Sequence, residues 1–157
     1  MIFCHANVFY ICSENLSYMV QKNTELIQML HYGEYEPWNR DSKKLPNLLR
    51  ITHEIIARPH VEFGYTLKIR KHKGKMLRFC IDHPPFLDEN GHITPSFTGD
   101  VFISSNSYHF YLGDCVWKPV HDKIGAWRLR TFIDSKCVAD TTIHIVPEVD
   151  FEDNMDW

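Results

Sequence analysis

The sequence predicts an all-β fold, an antiparallel β-sandwich of seven to eight short strands, and three observations carry that prediction. Apolar and polar residues alternate with a period of two in several segments, most clearly where Trp127, Leu129, Thr131 and Ile133 interleave with Ala126, Arg128, Arg130 and Phe132. Proline, glycine and asparagine punctuate the chain between these segments, as in Pro84-Pro85, Asn90-Gly91 and Pro95. The 157 residues are 44% hydrophobic and 24% charged, the composition of one globular domain with a single core.

Residues 1–30 are expected to form an N-terminal helical segment. Ser13 and Glu14 open a pattern in which Leu16, Met19, Val20, Ile27 and Leu30 share a stripe, and Asn23-Thr24 interrupts it. Residues 31–37, HYGEYEP, suit a short edge segment that Pro37 ends, because proline has no N–H for a ladder. A polar loop over 38–46 leads to one strand at 48–56, closed by Arg58-Pro59. In 61–70 Phe63, Tyr65, Leu67 and Ile69 share one face. The link KHKGK, with Gly74 suited to a positive φ, predicts a hairpin whose return strand is 76–82. After the proline-rich connection 83–97, a second hairpin is expected from 98–104 and 108–112 about Ser105-Asn106-Ser107, then a short strand holding Val116 and Trp117. The closing hairpin turns at Asp134-Ser135-Lys136, with Cys137, Ala139, Thr141, Ile143 and Ile145 facing inward until Pro147 ends the ladder.

HYGEYEP, HEI followed by FGYTLKI, HPPF, TPSFTG, the single LGD and GAWRLRTFIDSKCVADTTIHIV, taken in this order, are similar to the pattern of a bacterial domain of unknown function, number 3859. The resemblance covers residues 31–147, so residues 148–157 form a separate acidic tail. It implies an immunoglobulin-like sandwich and carries no known activity, cofactor or site residue.

Chemistry is sparsely written. The net charge of −3 gives no general attraction to polyanions, but its distribution is uneven. Lys68, Arg70, Lys71, Lys73, Lys75 and Arg78, with His72 among them, concentrate on the predicted 61–82 hairpin. Glu148, Asp150, Glu152, Asp153 and Asp156 are interleaved with Phe151 and followed by Trp157 in the tail. The tail is expected to be a solvated, disordered terminus, with folding back on the basic hairpin or presenting an acidic-aromatic peptide to a partner as the functional alternatives. Five cysteines without a C-x-x-C pair make neither a disulfide framework nor a zinc site, and those in or beside strands suit small buried hydrophobes in a reducing compartment. Ten histidines raise the question of metal, yet no H-x-H, H-x-x-x-H or H-E-x-x-H occurs. Asp82, His83, His92, His121 and Asp122 would be the ligands of a site assembled from distant loops, and Cys80 near His83 the pair for a thiol enzyme.

These features predict a non-catalytic binding or adaptor module without cofactor, meeting a protein partner through its loops and basic hairpin. The residues expected to bind are Lys68, Arg70, Lys71, His72, Lys73, Lys75, Arg78, Trp117 and His121, with Tyr65 offering a stacking face and Trp127 in the core. Nucleic-acid or polyanion binding by residues 68–78 is one alternative, and a metal-dependent or Cys/His enzyme is another. The apolar start of the chain lacks a basic n-region, and no run approaches the ~20 apolar residues of a membrane span, so a cytoplasmic location is expected, with secretion directed by the N-terminal apolar run as the alternative.

Overall fold

Nine segments adopt extended backbone in the computed structural model, which describes residues 26–149. They are β1 (Ile27–Tyr35), β2 (Leu48–Arg50), β3 (Glu54–Ile56), β4 (Glu62–Arg70), β5 (Met76–Asp82), β6 (Phe97–Phe102), β7 (Ser107–Cys115), β8 (Gly125–Ile133) and β9 (Lys136–Val146). β2-β1-β4-β7 form one sheet and β3-β9-β8-β5-β6 the other. The alternating apolar residues meet between them: Phe63, Tyr65, Leu67 and Ile69 of β4, Leu77 and Ile81 of β5, Trp127, Leu129 and Ile133 of β8, and Ile143 and Ile145 of β9 form one buried cluster. Among the described residues no helix is long and apolar enough to cross a membrane.

Several local expectations change. Residues 27–30, assigned to a helical stripe, belong to β1. Ile27 and Met29 pack on the core, a bulge after Met29 leaves Leu30 unpaired, and pairing then resumes with His31↔Thr66. The rest of the expected helix, residues 1–25, lies outside the described residues. Residues 31–35 of the expected 31–37 segment are no separate edge piece but the upper part of β1, covered on its outer side by β2 at Glu34 and Tyr35. The single strand expected at 48–56 is two, β2 and β3, on different sheets. β3 pairs with β9 in parallel, so the sandwich is not wholly antiparallel.

The largest correction concerns the two predicted hairpins. β4 pairs with β1 and β7, whereas β5 pairs with β6 and β8. KHKGK therefore crosses from sheet to sheet, with Lys71 at φ 58° and Gly74 at φ 89° turning the chain. β6 and β7 are likewise joined by a crossing, not a hairpin. The two arches brace each other: Lys71 N donates to Asn106 O at 3.0 Å, Gly74 N to Ile103 O at 2.9 Å and Ile103 N to Lys75 O at 3.0 Å. Each arch places its two strands in opposite layers, so that their apolar faces meet across the shared core. Val116 and Trp117 follow the end of β7 and form no strand.

The closing hairpin folds as expected, with Asp134 and Ser135 both at positive φ. A bulge between Thr131 and Phe132 puts Val138 between the paired residues Cys137 and Ala139, which shifts the phase. Cys137, expected inside, is consequently exposed, while Ala139, Thr141, Ile143 and Ile145 are buried.

Candidate interaction surface

The two arches and the Asp134-Ser135 turn lie at one end of the sandwich, because β4, β6 and β8 end there and β5, β7 and β9 begin there. That end collects much of the basic charge, though not as a projecting ribbon. Lys68 and Arg70 alternate with the inward Leu67 and Ile69 and so lie on the outer face of the four-stranded sheet, while Arg78 lies on the opposite outer face. Lys71, Lys73 and Lys75 sit exposed on the arch, and the His72 ring meets Arg70 O through Nδ1 at 2.6 Å. Lys136 begins β9 beside them. Lys75 pairs with Asp134, and Arg78 Nε with Asp100 Oδ1 at 3.0 Å. Among the described residues Lys71, Lys73 and Lys136 have no ion-pair partner.

Apolar surface accompanies this charge. Met76 is 51% exposed and its cross-strand neighbour Phe102 is 55% exposed. Beside them Met76, Arg78, Asp100, Phe132, Asp134 and Ser135 line a shallow groove of about 530 Å³. A second groove of about 540 Å³, with Leu26, His72, Lys136 and Val138 on its walls, lies on the other side of Asp134. The sequence pattern pointed to the lysines and set Phe132 opposite the inward face of its strand, but not to the neighbouring Met76 and Phe102, since outward-facing apolar residues on a strand look the same as core until the sheet pairing is known.

Trp117 and His121, grouped with the basic residues by the sequence, are at the far end. Trp117 packs edge-on to Trp127 at 6.1 Å and to Phe86 at 5.4 Å. Between Phe86 and Trp117 lies the Lys123 ammonium, 4.5 Å from each ring centroid. It donates to Pro119 O at 3.2 Å and pairs with Asp122, and the Lys123 carbonyl accepts the Trp127 indole N–H at 2.8 Å. His121 is exposed on the short 3₁₀ turn His121–Lys123. Tyr65 offers no stacking face: it is fully buried and its hydroxyl meets Thr131 Oγ1 at 2.6 Å.

Glu62 and Asp114, which no spacing in the sequence flagged, approach one guanidinium at this far end, Arg40 lying 4.0 Å from Glu62 and 3.7 Å from Asp114. Burial raises the pKa of both carboxyls above the ordinary range. Tyr111 donates its hydroxyl proton to Glu62 Oε1 at 2.9 Å and its ring packs edge-on against Trp38 at 5.2 Å. The arrangement ties the loop carrying Trp38 and Arg40 down onto the sheet, so the Glu62 carboxylate is engaged by the chain's own donors. Adjacent Cys115 has its thiol pKa pushed up by burial, which opposes a thiolate nucleophile.

The metal and thiol candidates do not converge. Among the described residues no three His, Cys, Asp or Glu side chains are placed to hold a metal ion. Asp82 accepts from Ser96 at 2.7 Å and from Arg130 at 2.6 Å, His83 contacts Pro84 O and Pro95 O and stacks on Phe86, and His92 is exposed 3.8 Å from Asp88. Cys80 lies against Asp82 at 3.5 Å with its thiol pKa raised by burial, not against His83.

The family model described as a domain of unknown function (DUF3859) matches residues 23–145. No curated protein matches the chain. Among solved structures, an immunoglobulin-like protein from Pseudomonas aeruginosa is similar with a TM-score of 0.60 at 15% identity, over 80% of this chain and 100% of that one. An alkylpurine DNA glycosylase from Pseudomonas fluorescens, bound to DNA containing an abasic site analogue, is matched over 85% of this chain and 34% of its own length. Its TM-score of 0.39 at 10% identity supports no inference about this chain.

Proposed function

The chain belongs to the DUF3859 family, and on that premise we propose that it is a non-catalytic protein-binding module. Its arch-bearing end takes an acidic segment of a partner that carries aromatic or aliphatic anchors. The observation that supports this reading is the juxtaposition of exposed Met76 and Phe102 beside an open groove with the cations of Lys71 and Lys73, which have no ion-pair partner among the described residues. Apolar anchors in a groove with a charged rim form the usual anatomy of a protein interface. Loops at one end of a sandwich also adapt to a partner without disturbing the core.

The polyanion reading draws on the same lysines but is less well supported. Its stacking residue is buried, and its cations are divided between two outer faces and one end, so no continuous track follows a phosphate backbone. Fluorescence anisotropy separates the two. The probes are a labelled acidic peptide containing two aromatic residues, a poly-glutamate of equal charge and an oligo-dT of equal length. Tightest binding of the aromatic peptide, weakened by M76S and F102S, is expected; equal binding of all three, or preference for oligo-dT, overturns the reading.

A further inference from the structure

We propose that the segment received by the arch-bearing end is the acidic tail of a second copy of this chain, so that the molecule associates head to tail. This inference rests on the reading above and assigns its partner.

The tail carries five acidic residues over positions 148–156, with Phe151 and Trp157 as aromatic anchors. Residues 1–147 therefore hold all 17 Lys and Arg against the remaining 15 of 20 acids. The arch end concentrates that positive balance: among the described residues Lys71, Lys73, Lys75, Arg78 and Lys136 gather there, with Asp134 paired to Lys75 and Asp100 to Arg78. Charge and anchors are thus complementary in both respects.

Position decides between a tail acting on its own molecule and one acting on a neighbour. β9 begins at the arch end and ends at Val146 on the far end, where Arg58 Nε holds Glu148 Oε1 at 2.8 Å. Ten residue steps of β9 span about 33 Å. Nine further residues beyond Glu148 extend at most about 31 Å to Trp157, and three extend about 10 Å to Phe151. Val138, the groove wall residue of β9 nearest the far end, lies eight residue steps or about 26 Å from Val146, so Phe151 cannot reach the grooves of its own molecule and one tail cannot seat both of its aromatic anchors there. A second copy meets no such limit. The contact is heterologous, tail of one copy to arch of the next, and so either closes a ring or propagates.

Sedimentation velocity of the full chain over a range of concentrations, at low and high salt, tests the proposal. Wild type is expected to associate with rising concentration at low salt and to revert at high salt. K71E/K73E and, separately, E152K/D153K/D156K should each weaken association about tenfold or more, and the combined reversal should restore it. A chain that stays monomeric throughout, or a tail reversal without effect, overturns the tail assignment. If K71E/K73E still abolishes binding of the labelled peptide in that event, the binding-module reading stands alone; if it does not, both fail.

Discussion

Lys123 is 1% exposed, and its position shows how a charge is accommodated inside this molecule. Two aromatic faces, a backbone carbonyl and Asp122 surround the ammonium, while Asp122 keeps contact with water. K123M keeps the volume and removes a charge whose desolvation offsets most of its attraction, so thermal and denaturant unfolding should place it within about 1 kcal/mol of wild type. K123A opens a cavity beneath Trp117 and should cost about 2–4 kcal/mol in the same assay. The Tyr65–Thr131 hydroxyl pair is buried on both sides, and a double-mutant cycle with Y65F and T131V should return a coupling of about 1 kcal/mol. Glu62 gives a pH signature. Burial raises its folded-state pKa and that of Asp114, so the stability they contribute is complete below the ordinary carboxylate pKa and is lost as pH rises through the raised values. Asp82, lowered chiefly by Ser96, and Asp140, lowered chiefly by Arg128, act in the opposite sense and lose their contribution as pH falls. E62Q should therefore flatten the decline in stability on the neutral side, read by denaturant unfolding from about pH 4.5 to 7, without changing the acid side.

At the scale of strands, Tyr65, Trp127 and their apolar neighbours were legible because each segment alternates regularly between core and solvent. The partner of each strand was not legible. KHKGK has the composition of a hairpin turn, and only the pairing of β4 with β1 and β7 shows that it crosses between sheets. Ile27 and Leu30 fit a helical stripe as well as a bulged strand, and the ladder with β4 resolves the ambiguity in favour of the strand. The glycines were read for turns alone, yet Gly33, Gly64 and Gly113 lie in register across β1, β4 and β7. A Cβ at Gly64 would sit 2.2 Å from Leu112 O, a backbone atom with no freedom to move aside. A Cβ at Gly74 meets nothing within 4 Å and contends only with its φ of 89°. G74A should accordingly cost about 1 kcal/mol, and G64A should cost more than about 3 kcal/mol or prevent folding, compared by circular dichroism melts.

For the whole molecule, the two-layer all-β architecture followed from composition and periodicity, whereas the candidate surface was only half visible. Lysines cluster in sequence at 71–75 and remain together in space, but Lys68 and Arg78 part onto opposite faces, and Trp117 and His121 move to the far end. Met76, Phe102 and Phe132 come together only through the β6-β5-β8 register. That topology has a further effect. In the order β1 to β9, the chain passes between sheets at β2–β3, β3–β4, β4–β5, β6–β7 and β7–β8, so neither layer is made from one continuous stretch. Residues 76–146 hold β9-β8-β5-β6, four of the five strands of one layer, but without β1, β2 and β4 their apolar face has little of the opposite layer to pack against. Refolding after dilution from urea should be slow for the chain's size, on the order of milliseconds to seconds, because entropically costly closures precede any reward. Peptides that divide the chain at the 71–75 arch should lack the native circular dichroism signal when separate.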